Sequence, residues 1–499
     1  MRFAELEHAN VAIWGYGREG RSVLSALRRR FPDKLLTLYC KPDEAAALND
    51  AFKPSPSRGR DSAFASRGSR AVERPHREVR TGLASAGMHE GQGGDGVDPA
   101  TLDIRVDPPD AGALSAHDIV IKSPGISAYK PEIMAARERG TRFTSGTALW
   151  FGENPDARVV AVTGTKGKST TTALIVHLAR ALQVRTALAG NIGLPLLDLD
   201  DQHADLWAIE LSSFQTGEAG PLELGVMVSL AEEHLDWHGT RERYIADKLK
   251  LADVSRTLLV DAETPLLMQR TAAHSRRHTF GDAVGWHAAD GWIMRDGERV
   301  FEVSSLPLQG AHNAHNACAA LSAIELLGYD ARVAAASLAA FKPLPHRLTS
   351  LGVRDGIEWI DDSISTTPDA AFAALESLRG RAVTLILGGH DRGLDWLGFV
   401  HSLQTHSPHA IVAQGAAGPR IARILRNAGL ACPVEEAIDL AAAVAYAKKT
   451  TPQGGVVLLS PGAPSFDQFR DYAERGRAFA RLAGFDADGI GEITGLGIA

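Results

Sequence analysis

Val159-Val160-Ala161-Val162-Thr163-Gly164-Thr165-Lys166-Gly167-Lys168-Ser169-Thr170 reads as an apolar strand, a glycine turn and the first turn of a helix. A strand that feeds a glycine turn just before a helix exposes backbone N–H groups at the helix N-terminus, where the macrodipole favours an anion. Lys168 is placed to reach the terminal phosphates of a polyphosphate, and Ser169 to ligate Mg²⁺. The residue six before Lys168 is Val162 and the first glycine is Gly164, so the loop is two residues shorter than the general phosphate loop. The strand-turn-helix context favours a nucleotide loop over a plain turn with a surface lysine. The expected ligand is ATP, held by Gly164, Thr165, Lys166, Gly167, Lys168, Ser169 and Thr170.

Outward from this loop the chain alternates strand and helix patterns. Upstream, Val11-Ala12-Ile13-Trp14 precedes Gly15-Tyr16-Gly17-Arg18-Glu19-Gly20 and an amphipathic stretch to Arg30, with a second strand over 35–39. A further strand at Asp118 to Lys122 runs into Ser123-Pro124-Gly125. Downstream, strands are expected at 206–210 and 226–230. After the Pro-rich hinge Lys342-Pro343-Leu344-Pro345 they recur at 357–360, 383–387, 410–413 and 456–459. This alternation predicts an α/β protein with parallel sheets built from right-handed crossover units. The 499 residues, at about 150 per domain, suggest roughly three domains. We place them at 1–145, 146–342 and 343–499. Residues 53–100 break the pattern, with seven arginines between Arg58 and Arg80, and read as a flexible insertion.

Composition narrows the class. The net charge of -7, 23% charged and 44% hydrophobic residues describe an ordinary globular enzyme and exclude both global disorder and a generally basic nucleic-acid binder. Met1 to His8 lacks the apolar core of a signal peptide, and no long apolar run occurs. Three scattered cysteines, Cys40, Cys318 and Cys432, suit a reducing compartment, so a cytoplasmic protein with no nucleic-acid partner and no membrane insertion is expected.

Three further patterns carry chemistry. Glu210 ends the apolar strand of Trp207-Ala208-Ile209-Glu210-Leu211-Ser212-Ser213-Phe214-Gln215, at the carboxyl edge where ligands bind in open sheets, and a carboxylate there can hold Mg²⁺. Glu233-His234-Leu235-Asp236-Trp237-His238 sets two histidines four apart, a metal-like spacing on a helix, although no third ligand makes a zinc site. Gly15-x-Gly17-x-x-Gly20 matches a dinucleotide fingerprint. The second strand, however, ends in Tyr39-Cys40-Lys41 without the acidic ribose ligand, which disfavours a dehydrogenase and leaves a diphosphate-binding turn.

Taken together the segments resemble the Mur ligases of peptidoglycan synthesis, and among them the branch that adds glutamate to UDP-N-acetylmuramoyl-L-alanine. The resemblance rests on Val162 to Ser169, Gly190-Asn191-Ile192-Gly193, Glu210 to Gln215, Glu233-His234, Tyr244 to Lys248, His312-Asn313 with Asn316, Pro345-His346-Arg347 and Asp362-Ser363. It implies a three-domain Mur ligase architecture: a Rossmann-like N-terminal domain for the UDP-substrate, a central phosphate-loop ATPase domain, and a Rossmann-like C-terminal domain for the amino acid. It further implies that Lys168, His234 and Lys248 are catalytic and that Ser169, Glu210, His234 and a carbamylated Lys248 attend two Mg²⁺ ions. Asn316 is expected at adenine, with Arg347 and Asp362 closing the nucleotide site. Asn191 is expected at the muramoyl substrate, and Gly15, Gly17, Gly20, Ser123 and Gly125 at its UDP end. The implied reaction joins glutamate to the substrate through an acyl phosphate, in a monomeric enzyme whose hinge near Pro343 closes to exclude water.

Where the incoming amino acid should sit, the sequence departs from the usual D-glutamate pattern. Asp362-Ser363-Ile364-Ser365-Thr366-Thr367-Pro368 has Ile364 in place of a lysine, and Ser460-Pro461-Gly462-Ala463-Pro464-Ser465-Phe466 places a proline that fixes its backbone and lacks an N–H. With Gly389-His390-Asp391-Arg392-Gly393-Leu394-Asp395-Trp396, these segments are most similar to the variant branch that adds L-glutamate and relies on a partner epimerase. Arg392 is the candidate for the glutamate side-chain carboxylate, since a guanidinium matches a carboxylate bidentately; Thr366 and Ser465 are further candidates. The alternatives are the D-glutamate ligase, a folylpolyglutamate-synthase-like ligase, and a non-catalytic nucleotide-binding relative.

Overall fold

The computed structural model describes residues 1–51, 101–230, 238–308, 310–391, 393–404, 406–487, 490 and 497–498. The Arg-rich stretch read as an insertion, His234 and Arg392 lie outside the described residues. The chain divides into two compact units, Met1–Leu149 and Trp150–Ala499.

The first unit is built on a five-stranded parallel sheet in the order Leu102–Arg105, Leu36–Tyr39, Val11–Trp14, Ile119–Lys122, Arg142–Thr144. Its three central strands are buried on both faces, which is why they read as continuous apolar runs and not as alternation. The second strand starts one residue later than expected, because Leu35 is 73% exposed. The helix Arg18–Arg30 buries Val23, Leu24, Ala26 and Leu27 and ends in Arg28, Arg29 and Arg30, cations that complement the carbonyl end of the dipole.

The second unit opens on a seven-stranded sheet in the order Arg277–Phe280, Ser255–Asp261, Leu222–Met227, Val159–Thr163, Leu206–Glu210, Thr186–Gly190, Gly497–Ile498, parallel except for the last strand. Val159–Thr163 therefore has Leu206–Glu210 on one side and Leu222–Met227 on the other. The loop leaving its carboxyl end is bracketed by the segments that leave the carboxyl ends of these two neighbours. Helices Lys168–Ala181 and Ala311–Leu326 share one core; Ala317, Ala319, Ala320 and Ala323 lie within it, and small side chains let helices approach closely.

A three-stranded antiparallel meander, His287–Ala289, Trp292–Arg295 and Glu298–Glu302, was not anticipated. Its two turns are Asp290-Gly291 (φ 50° and 78°) and Asp296-Gly297 (54° and 78°), the positive-φ pairs that two-residue hairpins demand.

The C-terminal sheet runs Thr349–Arg354, Ile357–Asp361, Val456–Leu459, Val383–Gly388, Ala410–Gln414, Val434–Ala437. Only the edge pair Thr349–Arg354 with Ile357–Asp361 is antiparallel, so the sheet is mixed where an all-parallel one was expected. Separate cores cover its two faces. One takes side chains from Pro368–Glu376, Leu397–Leu403 and Gly418–Asn427, the other from Leu440–Thr450 and Tyr472–Ala483. The chain thus changes face between Val383–Gly388 and Val456–Leu459, which opens a crevice at their carboxyl ends.

Candidate functional site

In the first unit the Gly15 turn closes on Ser123, whose hydroxyl donates to the Gly15 carbonyl (3.2 Å). Gly15 has φ +97°, and a Cβ there would meet Ser123 Oγ at 2.6 Å; one on Gly20 would strike the Gly15 carbonyl at 2.0 Å. Gly17 and Gly125 face open space instead, with no atom within 4 Å of a built Cβ. Two of the glycines are thus required by packing, while Gly17, the helix N-cap, leaves room at the N–H end.

The central loop is more elaborate. Gly164 has φ +158° and Gly167 φ +84°; Cβ atoms there would meet Val228 Cγ2 at 2.6 Å and Asn316 Oδ1 at 2.5 Å. The Thr165 and Lys166 amides donate to Ser229 Oγ (3.1 and 2.9 Å), which in turn donates to the Lys166 carbonyl (2.9 Å). Lys168 Nζ donates to the Gly164 and Thr165 carbonyls (3.0 and 2.8 Å), and the buried Lys248 Nζ to the Gly164 carbonyl (2.7 Å). Two ammonium groups therefore converge on one loop. Thr165 Oγ1 pairs with Tyr244 Oη (2.9 Å), from the same helix as Lys248, Arg241–Val254.

Glu210 is fully buried. Its Oε1 accepts from Asn191 Nδ2 (2.7 Å), and Oε2 is a buried oxygen without a hydrogen-bond partner among the described residues. An ionisable oxygen left so is costly unless a cation or donor completes it. The residues present fit a divalent cation here. Asn191 therefore positions the carboxylate, a contact that its expected role at the substrate did not anticipate.

Asn316, expected at adenine, lies under the loop: Thr171 Oγ1 donates to its Oδ1 (3.4 Å) and its Nδ2 donates to Asn313 (3.2 Å). Arg347 Nη2 donates to Ser169 Oγ (3.4 Å), and its Nε is buried with no partner among the described residues, a donor suited to an anion. Asp362 accepts from Ser460 Oγ (2.7 Å), the Leu348 amide (3.2 Å) and Ser365 Oγ. Burial pushes its carboxyl up to about 6, against the pull of these donors and of Arg347. Burial, with the cations Arg347 and Lys166 near it, also holds His312 below its ordinary value.

Of the two histidines of the sequence motif, only His238 lies among the described residues. His238 is buried with both ring nitrogens committed, Nδ1 to Asp247 Oδ2 (2.7 Å) and Nε2 to Ser213 Oγ (3.0 Å), so it is a structural residue and not a metal ligand. In the C-terminal sheet, Ser465 is buried and Thr366 half-buried at the sheet's carboxyl end. The Gly388 and His390 amides donate across the crevice to the Pro461 and Pro464 carbonyls (both 2.8 Å).

Three features escaped sequence reasoning. Ser229 had no motif around it. His346 Nδ1 pairs with Asp361 Oδ2 (2.6 Å), next along the chain to Arg347. Arg475, fully buried, donates to Ser363 Oγ (3.0 Å), the Ser363 carbonyl (2.8 Å) and the Ala463 carbonyl (3.0 Å). An arginine on a helix face looks like a solvated charge in sequence, and only its neighbour Gly476, whose Cβ would lie 2.1 Å from His346 Nδ1, hints at close packing there.

A short glycine loop at the junction of parallel strands, two lysines and a buried carboxylate define a phosphate-handling α/β protein. Comparisons with known proteins narrow the class. Residues 162–324 match the Mur ligase middle domain and residues 346–462 the Mur ligase glutamate ligase domain. The UDP-N-acetylmuramoyl-L-alanine–L-glutamate ligase of Xanthomonas euvesicatoria is 43% identical over 514 residues, covering 100% of both chains. The ligase of the same name from Xylella fastidiosa is 42% identical over 517 residues, again covering 100% of both. Among solved structures, the UDP-N-acetylmuramate–alanine ligase of Thermotoga maritima superposes with a TM-score of 0.56 at 19% identity, covering 95% of this chain and 99% of that one. The chain belongs to the Mur ligase family.

Proposed function

We propose that this protein is the ATP-dependent ligase that joins L-glutamate to UDP-N-acetylmuramoyl-L-alanine, a step in making peptidoglycan precursors. The observation that carries this reading is the full-length likeness to the L-glutamate ligases, together with the buried, half-partnered carboxylate of Glu210 beside the phosphate loop. Residues 1–145 take the UDP end, with Gly15, Gly17, Gly20, Ser123 and Gly125; 146–342 take ATP; 343–499 take glutamate, with Arg392, Thr366 and Ser465. Asn316, Arg347 and Asp362 complete the nucleotide site.

A carboxylate does not condense with an amine in water unaided. In our reading the alanyl carboxylate attacks the γ-phosphorus of ATP, ADP leaves, and the acyl phosphate is then attacked by the glutamate amine with loss of phosphate. Lys168 screens the repulsion between carboxylate and triphosphate, and loop amides supply fixed donors where charge develops. Glu210, Ser169, His234 and a carbamylated Lys248 would hold Mg²⁺, which supplies Lewis-acid charge neutralisation when bound. The L-glutamate assignment draws on the relatives' names and on Ile364 and Pro464 at the amino-acid end.

An isotope experiment tests the mechanism. Substrate labelled with ¹⁸O in the alanyl carboxylate should pass one label into the released phosphate, as an acyl phosphate requires; unlabelled phosphate would refute it.

A further inference from the structure

Arg475 presents an unusual arrangement. Its guanidinium is buried completely in the helix Tyr472–Ala483, yet its hydrogen bonds go to two carbonyls and a hydroxyl, none to a carboxylate. Only the charges of Asp467 and Asp361, neither of them hydrogen-bonded to it, offset its burial; an apolar side chain of similar volume would ordinarily fill the space at lower cost. Burial holds this guanidinium down to about 10, still protonated at neutral pH.

What the cation gains is geometry. Ser363 follows the strand Ile357–Asp361 and Ala463 follows Val456–Leu459, and their two turns carry Ile364 and Pro464, the departures assigned to the amino-acid pocket. A third turn closes on the same point. Gly389, after Val383–Gly388, has φ +148°, and a Cβ there would lie 2.2 Å from the Pro464 carbonyl and 2.9 Å from Arg475 Nη1. The planar fork fixes the first two turns with three bonds, and the third packs on it. Ser363 Oγ passes the link onward by donating to the Tyr472 carbonyl (2.8 Å).

We propose that Arg475 is a positioning residue for the incoming amino acid: it locks the 362–366 and 460–465 turns in one relative placement, and so sets glutamate affinity without touching glutamate. The inference rests on the functional reading above, because it needs those turns to form the amino-acid pocket. Misplacing a substrate-holding wall by about an ångström is enough to cost about a hundredfold in rate.

The test compares the full-length protein with Arg475→Met, Arg475→Lys and Ser363→Ala, measuring thermal unfolding and the KM of each of the three substrates. In Arg475→Met the glutamate KM should rise about tenfold or more and that of UDP-N-acetylmuramoyl-L-alanine stay within about twofold, while the ATP KM should rise at most about threefold, because Asp362, at the start of the same turn, keeps its own bonds to Ser460, Ser365 and the Leu348 amide. Arg475→Lys, which keeps the cation but not the fork, should recover part of the loss, and Ser363→Ala should show a smaller rise in the same direction. Folded variants with a wild-type glutamate KM, or with all three KM values rising together, would overturn the proposal. If Arg475→Met fails to fold, wild-type glutamate KM values in the other two variants overturn it equally. A wild-type protein that ligates neither enantiomer of glutamate refutes the functional reading and this inference with it, whereas a working wild type with unaffected variants refutes the inference alone.

Discussion

Glu210 and Asp362 are both buried carboxylates, and their surroundings give them different tasks. Glu210 has one oxygen held by Asn191 and one unpartnered among the described residues, so it suits a cation. Glu210→Gln keeps the shape and removes the charge. Ligation should fall by about a hundredfold or more with little change in thermal unfolding, and should not recover when Mg²⁺ is raised. Asp362 is the opposite case. Its folded value, about 6, lies above that of the unfolded chain, so the folded state holds a proton that the unfolded state has lost. The stability from that proton is fully present below about pH 4 and is lost as pH rises through about 6, a decrease of roughly 3 kcal/mol. Asp362→Asn should therefore flatten the stability profile over that window, measured by urea unfolding, while weakening the use of ATP. Lys168 and Glu210 stood out in the sequence because each sits in a local run with a chemical reason, whereas Asp362 came only from the family resemblance. Ser229 and Arg475 did not stand out, since their partners, Thr165 and Ser363, lie far away along the chain.

Strands and helices that hold these groups were mostly legible, because buried parallel strands read as apolar runs and the turns after them carry glycine. The meander at 287–302 was missed although Asp290-Gly291 and Asp296-Gly297 announce it, since its strands are only three to five residues long and half-exposed. Helix packing was the hidden part. The helix Tyr472–Ala483 lies so close to the His346–Asp361 pair that a methyl at Gly476 would come within 2.1 Å of His346 Nδ1 and 2.5 Å of Asp361 Oδ2. Gly476→Ala should destabilise the protein by about 2 kcal/mol, seen as a lower urea midpoint. The helix Arg241–Val254 makes a parallel case. Asp247→Ala leaves buried His238 Nδ1 unpaired on the helix that carries Lys248, and should cost about 2 to 3 kcal/mol. Asp247→Asn, which can still accept from the imidazole, should recover most of that.

Across the chain, three large sheets carry the Gly15 turn, the phosphate loop with Glu210, and the crevice braced by Arg475 at their carboxyl edges, and the proposed function would give each a different part of the reaction. Among the described residues no helix is long and apolar enough to cross a membrane. Shared architecture and ATP chemistry belong to the family, while the proposed choice of L-glutamate is the finer claim and is assigned to few residues, Ile364, Thr366, Arg392, Pro464 and Ser465. That is the claim to test first. The protein is incubated with ATP, Mg²⁺ and UDP-N-acetylmuramoyl-L-alanine, with L-glutamate in one reaction and D-glutamate in another, and phosphate release and product mass are measured. The account predicts product and stoichiometric phosphate with L-glutamate only; product with D-glutamate and none with L-glutamate would contradict it.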